Sequence, residues 1–207
     1  MAKTKENFLK SICEALYPVG NHKKPDKKLY LESGLYEEIC NVYKSLGGLL
    51  EVPPFNVGDW DINLEKVIIE CDEENHFNRY RLKTLESSIY DSDSNFNIQN
   101  YKKYCKGYEK RCRTDGKYGT SSGSEKQFGE CDLDGELNSL EHSRWKQRAF
   151  YDYLRDVYSK ITGVPVIRIS IYDDFKFNSV GQLLKDSDTS KTRELVRSRV
   201  EEALKSE

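Results

Sequence analysis

Apolar residues recur along this chain in two periods, and the changes between them outline its elements. Leu9, Ile12, Cys13 and Leu16 repeat at helical spacing, so residues 6–16 predict a first helix, followed by a loop over 17–25 punctuated by Pro18, Gly20 and Pro25. Leu35, Ile39, Val42, Tyr43 and Leu46 form the stripe of a second helix, with Ser33 as N-cap, Glu37 and Glu38 in the first turn and Gly47-Gly48 as the stop. The period then falls to two. Residues 49–52 predict a strand broken by Pro53-Pro54, Trp60-Asp61-Ile62 a second, and Val67-Ile68-Ile69 a buried third running into Glu70-Cys71-Asp72. A short helix over 77–85 comes next. From 87 to about 139 the chain turns polar and rich in Ser, Asn, Gly and Tyr, with too few aliphatic residues for a core of its own. Helical periodicity returns with Ser143 as cap and Trp145, Ala149, Tyr153, Val157 and Ile161 on one face, until Gly163 and Pro165 end it. Residues 166–171 alternate as a strand, 174–188 read as irregular, and Val196, Val200 and Leu204 mark a C-terminal helix over about 189–206. The prediction is one domain over 1–207: a core of about 34–86 and 141–172, an insertion of about 87–140, and an α/β sandwich around a short mixed sheet.

Strand alternation gives that pattern its chemistry. Glu70 and Asp72 share a face while Cys71 takes the other, and a turn around 63–66 sets Asp61 beside Glu70. Three converging carboxylates repel one another, and a divalent cation is the usual neutraliser; a solvated acidic turn is the plain alternative. His76 follows Asp72 by four residues and has two readings, a general base or phosphate contact, or a ring bonded to the neighbouring carboxylates.

Composition adds limits. The 207 residues include 33% charged ones, yet the net charge is -2, so the placement of charge along the chain, rather than its sum, bears on a nucleic-acid partner. No N-terminal apolar segment and no run of membrane-spanning length is present, so a cytoplasmic protein without a membrane partner is expected, its six cysteines thiols or metal ligands in preference to disulfides. Within residues 101–117, seven Lys or Arg stand against two acids among tyrosines. Lys102, Lys103, Lys106, Lys110 and Arg111 suit contact with a phosphate backbone, or form a solvated basic helix. Arg144, Lys146 and Arg148 open a long helix, where positive charge opposes the helix dipole; either an anion sits there, or the face is solvated and pairs with Asp152 and Asp156. Cys105, Cys112 and Cys131, with His142, are candidate zinc ligands, although the first gap is wider than zinc motifs use and free thiols fit as well.

The element order and the acids together resemble the PD-(D/E)XK nuclease superfamily, whose restriction-endonuclease-like fold joins a helix, a meander bearing the acids, a second helix and a further strand. Glu70-x-Asp72-x-x-x-His76 is similar to the E-x-D-G-x-x-H pattern of the branch related to very-short-patch repair endonucleases, with Asp61 matching the acid of the preceding strand. Arg148 and Gly163-Val164-Pro165-Val166-Ile167-Arg168 approximate that branch's basic helix and its G-x-x-V-x-R strand. Two departures stand out: Glu73 replaces a glycine, and Asp72 occupies the place of the superfamily's lysine, a charge that Lys146 or Arg148 would have to supply.

The resemblance implies a magnesium-dependent DNA endonuclease, with manganese as a substitute ion. Asp61, Glu70 and Asp72 would hold the metal, His76, Lys146 and Arg148 would assist catalysis, and Arg144 and the basic insertion would contact double-stranded DNA. A type II restriction enzyme acting as a homodimer is the expected form; a monomeric repair or nicking nuclease and a non-catalytic nucleic-acid-binding protein are the rivals.

Overall fold

The computed structural model describes residues 2–91, 95–115, 121–130 and 142–205. Helix α1 (Ala2–Leu16) buries Leu9, Ile12 and Cys13, the stripe its spacing predicts. A short α2 (Lys27–Leu31) is capped by Asp26, which accepts from the Leu29 amide at 2.9 Å. Helix α3 (Tyr36–Ser45) starts later than expected, with Leu35 rather than Ser33 at its N-cap. The Ser33 hydroxyl instead accepts from the Leu35 amide at 3.1 Å, closing a turn through Gly34 at φ 71°. That turn uses up the polar side chain one step before the helix begins.

The expected strand at 49–52 does not form. Its backbone finds no neighbouring strand: the Leu49 amide donates to Gln127 at 2.9 Å, and Leu49, Leu50 and Val52 stay exposed. The sheet therefore has three strands, β1 (Ile62–Asn63), β2 (Ile68–Asp72) and β3 (Val166–Ser170), in that order. β1 runs antiparallel to β2, with Ile62 opposite Ile69. β2 and β3 are parallel, so a long crossover must join them; Glu70 lies opposite Arg168 and Asp72 opposite Ser170. Asp61 sits just before β1, not within the strand drawn through it.

The crossover holds a 3₁₀ turn (Glu74–His76), α4 (Arg79–Thr84), a second 3₁₀ turn (Ser88–Tyr90), α5 (Ile98–Asp115), α6 (Ser122–Phe128) and α7 (Ser143–Thr162). The polar insertion is joined to the core: Tyr101 and Cys105 pack with Phe77 and Leu85, while Cys112 and Phe128 join the cluster around Tyr43 and Trp145. On α7, Trp145, Ala149, Tyr153 and Val157 are buried as the stripe predicts. The N-cap, however, is His142, and the Ser143 hydroxyl meets that of Ser124 at 2.9 Å. Gly163, at φ 73°, ends the helix in the left-handed conformation that glycine adopts without strain. Residues 174–188, read as irregular, form a hairpin of β4 (Asp174–Phe175) and β5 (Asn178–Ser179) followed by α8 (Val180–Lys185). Helix α9 (Thr189–Lys205) closes the described chain.

The two faces of the sheet differ. Ile69, Cys71, Ile167 and Ile169 pack on Leu9, Ile12, Val180, Leu195 and Val196 of α1, α8 and α9. Each such aliphatic side chain contributes about 1.5–3 kcal/mol on full burial. The other face begins apolar, with Ile68 and Val166 under Trp60 and Tyr158, and then becomes charged beneath α7. Among the described residues, no helix is long and apolar enough to cross a membrane.

Candidate metal centre

The charged half-face follows from strand alternation. With Ile69 and Cys71 committed to the aliphatic side, Glu70 and Asp72 must face α7, and Arg168 meets them from β3. All three are at most 2% exposed, so each needs a partner within the protein. Arg168 provides most of the pairing. Its Nη1 donates to both Asp72 oxygens at 2.9 and 3.0 Å, Nε to Asp156 Oδ1 at 2.7 Å, and Nη2 to the Asp152 carbonyl at 2.8 Å. Arg81 of α4 donates to the second Asp156 oxygen at 2.7 Å, and Tyr101 of α5 donates to Asp72 Oδ2 at 2.8 Å. Burial and the adjacent Asp72 raise the Tyr101 pKa well above its ordinary value, which keeps this hydroxyl a donor.

Around that layer stand the remaining acids. His76, at the end of its 3₁₀ turn, sets Nδ1 2.8 Å from Asp152 Oδ2 and 3.3 Å from Asp72 Oδ1. Arg155 Nε lies 3.2 Å from Glu70 Oε2, and its Nη1 3.8 Å from Asp152 Oδ1. Asp61 Oδ2 accepts from the Cys71 amide at 2.9 Å, and the Asp61 amide reaches Glu70 Oε1 at 3.4 Å. Burial pushes the Glu70 pKa well above the carboxylate range; Arg155 opposes this and Asp61 adds to it. Burial also raises Asp61, against the Cys71 amide. Asp152 goes the other way: burial would raise it, but His76 and Arg168 hold it far below its ordinary value.

The charges do not balance. Asp61, Glu70, Asp72, Asp152 and Asp156 are five carboxylates; Arg81, Arg155 and Arg168 are three guanidiniums. With His76 neutral the difference equals the charge of one divalent cation; a protonated His76 between Asp72 and Asp152 would halve it. Asp152 Oδ1 is buried with no hydrogen-bond partner and has only the looser approach of the Arg155 and Arg168 guanidiniums, both at 3.8 Å. One ligand atom each from Asp72, His76 and Asp152 lie within 4.8 Å of one another, a set of two oxygens and one imidazole nitrogen that fits a divalent ion.

Of the acids singled out in the sequence, Asp61, Glu70 and Asp72 do come together with His76. The group able to hold a metal nevertheless shares only Asp72 with the expected trio and takes its second carboxylate from α7. Lys146 and Arg148, the expected replacements for the motif lysine, lie one to two turns before Asp152 on α7. Lys146 is buried over the Tyr80 ring, and Arg148 Nη1 reaches the Asn75 carbonyl at 3.4 Å. Arg144 pairs with Gln147. Asp152 and Asp156, the proposed solvated partners of these cations, are buried against the sheet, and Arg155 and Arg168 bring the positive charge. The one signal for this was a second apolar row, Phe150, Leu154 and Tyr158, which widens the buried arc of α7 until Asp152 and Asp156 cannot reach water.

Lys103, Lys106, Lys110 and Arg111 are exposed on α5, and Lys102 is half-buried. Cys105 lies among Phe77, Leu85 and Tyr101, where burial pushes its thiol up to about 12. Cys112 Sγ accepts from Asn78 Nδ2 at 3.5 Å. Neither belongs to the ligand group found among the described residues, and Cys131 and Lys117 lie outside them.

No curated protein and no solved structure matches the chain. A family of unknown function, DUF7255, matches over residues 41–187, a span that includes every residue of the charge cluster from Asp61 to Arg168. The chain belongs to that family.

Proposed function

We propose that the protein is a divalent-metal-dependent endonuclease that hydrolyses DNA phosphodiesters on the PD-(D/E)XK plan. The observation that carries this reading is the excess of two carboxylates over guanidiniums around His76, with a buried Asp152 oxygen that makes no hydrogen bond. The strand arrangement agrees with it: an antiparallel pair with Asp61 just before its first strand and Glu70 and Asp72 on its second, then a helix, then a parallel strand.

Asp72, His76 and Asp152 would hold the ion, with Asp61 and Glu70 alongside. When bound, it would polarise a phosphate oxygen and make a bound water more acidic. The imidazole nitrogen makes manganese at least as suitable as magnesium. Asp61 is half-buried and the His76 side chain 22% exposed, so a phosphodiester approaching the cluster meets these two first. Arg155 supplies the positive charge that the missing motif lysine would have given, held over the acids by Glu70 and against the Trp60 ring at 6.0 Å. Glu70 is a proton acceptor more basic than an ordinary carboxylate. Tyr101 and Arg168 position Asp72 and do not touch substrate. One cluster per chain cuts one strand, so double-strand cleavage of the restriction type requires two copies about a two-fold axis.

The test pairs thermal melting with plasmid cleavage, for wild type and Asp152→Asn, with manganese or magnesium. Metal at 100 times its Kd stabilises a protein by about 2.7 kcal/mol, a rise of roughly 5–11 °C at this chain length. Wild type should show this rise and cut. Asp152→Asn should lose the rise and most of the cleavage. Wild type that neither gains stability with metal nor cuts DNA would refute the proposal; metal-independent DNA binding without cleavage would favour a binding module.

A further inference from the structure

The chain enters α2 through a basic run, Lys23-Lys24-Pro25-Asp26-Lys27-Lys28, that the chemistry above does not use. All four of its lysines are exposed. A run of this kind is ordinarily plain solvated surface, but here its backbone is fastened to the sheet. The Gly20 amide donates to the Asn63 carbonyl at 2.8 Å, the His22 amide donates to Asn63 Oδ1 at 3.2 Å, and Asn63 Nδ2 donates to the His22 carbonyl at 2.9 Å. Pro25 is buried, and Leu29 packs on the cluster of Trp60, Ile68, Tyr158 and Val166.

A line of contacts joins this loop to the acids. Lys24 Nζ lies 2.7 Å from Asp59 Oδ1. The Asp59 carbonyl accepts from Arg155 Nη2 at 3.0 Å, and Arg155 Nε lies 3.2 Å from Glu70 Oε2. Asp59 precedes Asp61 by two residues, so their Cα atoms are at most about 7 Å apart. The Lys24 ammonium therefore stands on the Asp61 side of the cluster, where that acid is half-buried. Its pairing contributes little to stability, because the two side chains are 50% and 85% exposed. Gathering four lysines against one acid within residues 23–28 also gains the fold nothing, since like charges repel.

A phosphodiester strand gives that charge a use. The cluster is negative where Asp61, Asp72 and Asp152 surround His76, and it repels the phosphates on either side of the one at the ion. A cation on a long flexible stem beside this mouth offsets the repulsion and takes a phosphate as a point charge. We infer that Lys24 is a substrate-binding residue that leaves Asp59 for a backbone phosphate flanking the scissile one, and so holds the strand across Asp61 and His76. The inference rests on the nuclease reading above and deepens it, since it names the surface that fixes the strand on one side of the cut.

The test follows duplex binding by anisotropy in a salt titration, with calcium in place of the activating ion, and steady-state cleavage with manganese. Lys24→Gln should reduce the slope of log K against log salt by about 0.9, alike for duplexes of unrelated sequence. It should raise KM and leave kcat unchanged, as loss of a contact made equally in ground and transition states does. Lys24→Arg should keep the wild-type slope, and Asp59→Asn, which frees the ammonium, should tighten binding. Melting temperatures should not change, because these side chains are exposed. Lys191→Gln serves as control: it removes a similarly paired lysine from α9, behind the aliphatic face of the sheet, and should alter neither slope nor KM. A Lys24→Gln protein with wild-type slope and KM, or a Lys191→Gln protein that loses as much, would overturn the inference and leave the nuclease reading intact wherever wild type cuts plasmid. A wild type that binds no duplex and cuts no plasmid would overturn both.

Discussion

Glu70→Gln tests the charge surplus directly, because glutamine imitates the protonated acid in shape and cannot ionise. Glu70 is 2% exposed, and its folded pKa lies well above the ordinary carboxylate value. From that ordinary value upward to the folded pKa, the folded state holds a proton that the unfolded state has released. Stability contributed by this group is therefore complete below the unfolded pKa and falls as pH rises, by at most about 1.4 kcal/mol per pH unit. The glutamine variant lacks this loss. Urea unfolding of metal-free protein at pH 5.5 and 7.5 should show wild type declining relative to Glu70→Gln by up to about 2.7 kcal/mol, two units at that slope. The change is carried in the midpoint, with m unaltered. Arg155 loses its ionic partner in the variant, which lowers the whole curve without changing the sign of the slope. Adding manganese should flatten the wild-type slope, because the bound ion supplies the positive charge that the proton supplied. Parallel pH profiles for the two proteins, or a variant that falls behind as pH rises, would show that Glu70 stays ionised beside Arg155 in the metal-free fold and that the surplus is not relieved by protonating it.

Two further outcomes follow from the same geometry. Arg168→Met leaves Asp72 and Asp156 buried without their main partner and should destabilise the chain by about 3–5 kcal/mol in urea unfolding; a loss below about 1 kcal/mol would show that the network is dispensable. Replacing Lys102, Lys103, Lys106, Lys110 and Arg111 with glutamine removes mostly exposed charge, so folding should be intact. The slope of log K against log salt for duplex DNA should then drop by up to about 4.5, since each phosphate contact adds roughly 0.9, and an unchanged slope would return this face of α5 to plain solvated surface.

What the sequence made legible was local. The run Ile68-Ile69-Glu70-Cys71-Asp72 fixes which side chains share a face, because alternation depends on nothing outside the strand. Gly163 and the Trp145 to Val157 stripe fixed α7 for the same reason. The errors came where a distant segment decides. Residues 49–52 have strand composition, but no strand lies beside them and Gln127 accepts the Leu49 amide instead. Asp152 and Asp156 read as solvated until β3 brings Arg168 beneath them. The insertion was judged by its few aliphatics, whereas α5 docks through Tyr101, Cys105 and Cys112, at intervals of four and seven residues. The β4–β5 hairpin gave no turn signal because its loop is Lys176-Phe177, with neither glycine nor asparagine.

The placement of the buried charges separates scaffold from site. Arg81, Asp156 and Arg168 form a layer with one positive charge in excess, and adding Asp72 and Asp152 brings the sum to minus one. Arg155 and Glu70 cancel, and Asp61 makes it minus two. The deficit therefore collects where Asp61, Asp72 and Asp152 surround His76, at the half-exposed end, while the fully buried end around Arg81 is overcompensated. A purely structural network gains nothing from this gradient, since apolar residues of similar volume are often as stable as buried ion pairs. Uniform neutrality would also cost less than concentrating unpaired oxygen at one mouth. A cluster made positive at its closed end and negative at its open one could hold a cation entering from solvent, as the proposed function requires. Asp152 is where the two ends meet: its carbonyl is fixed by Arg168 and its Oδ2 by His76, while Oδ1 lacks a hydrogen bond and has only the Arg155 and Arg168 guanidiniums at 3.8 Å.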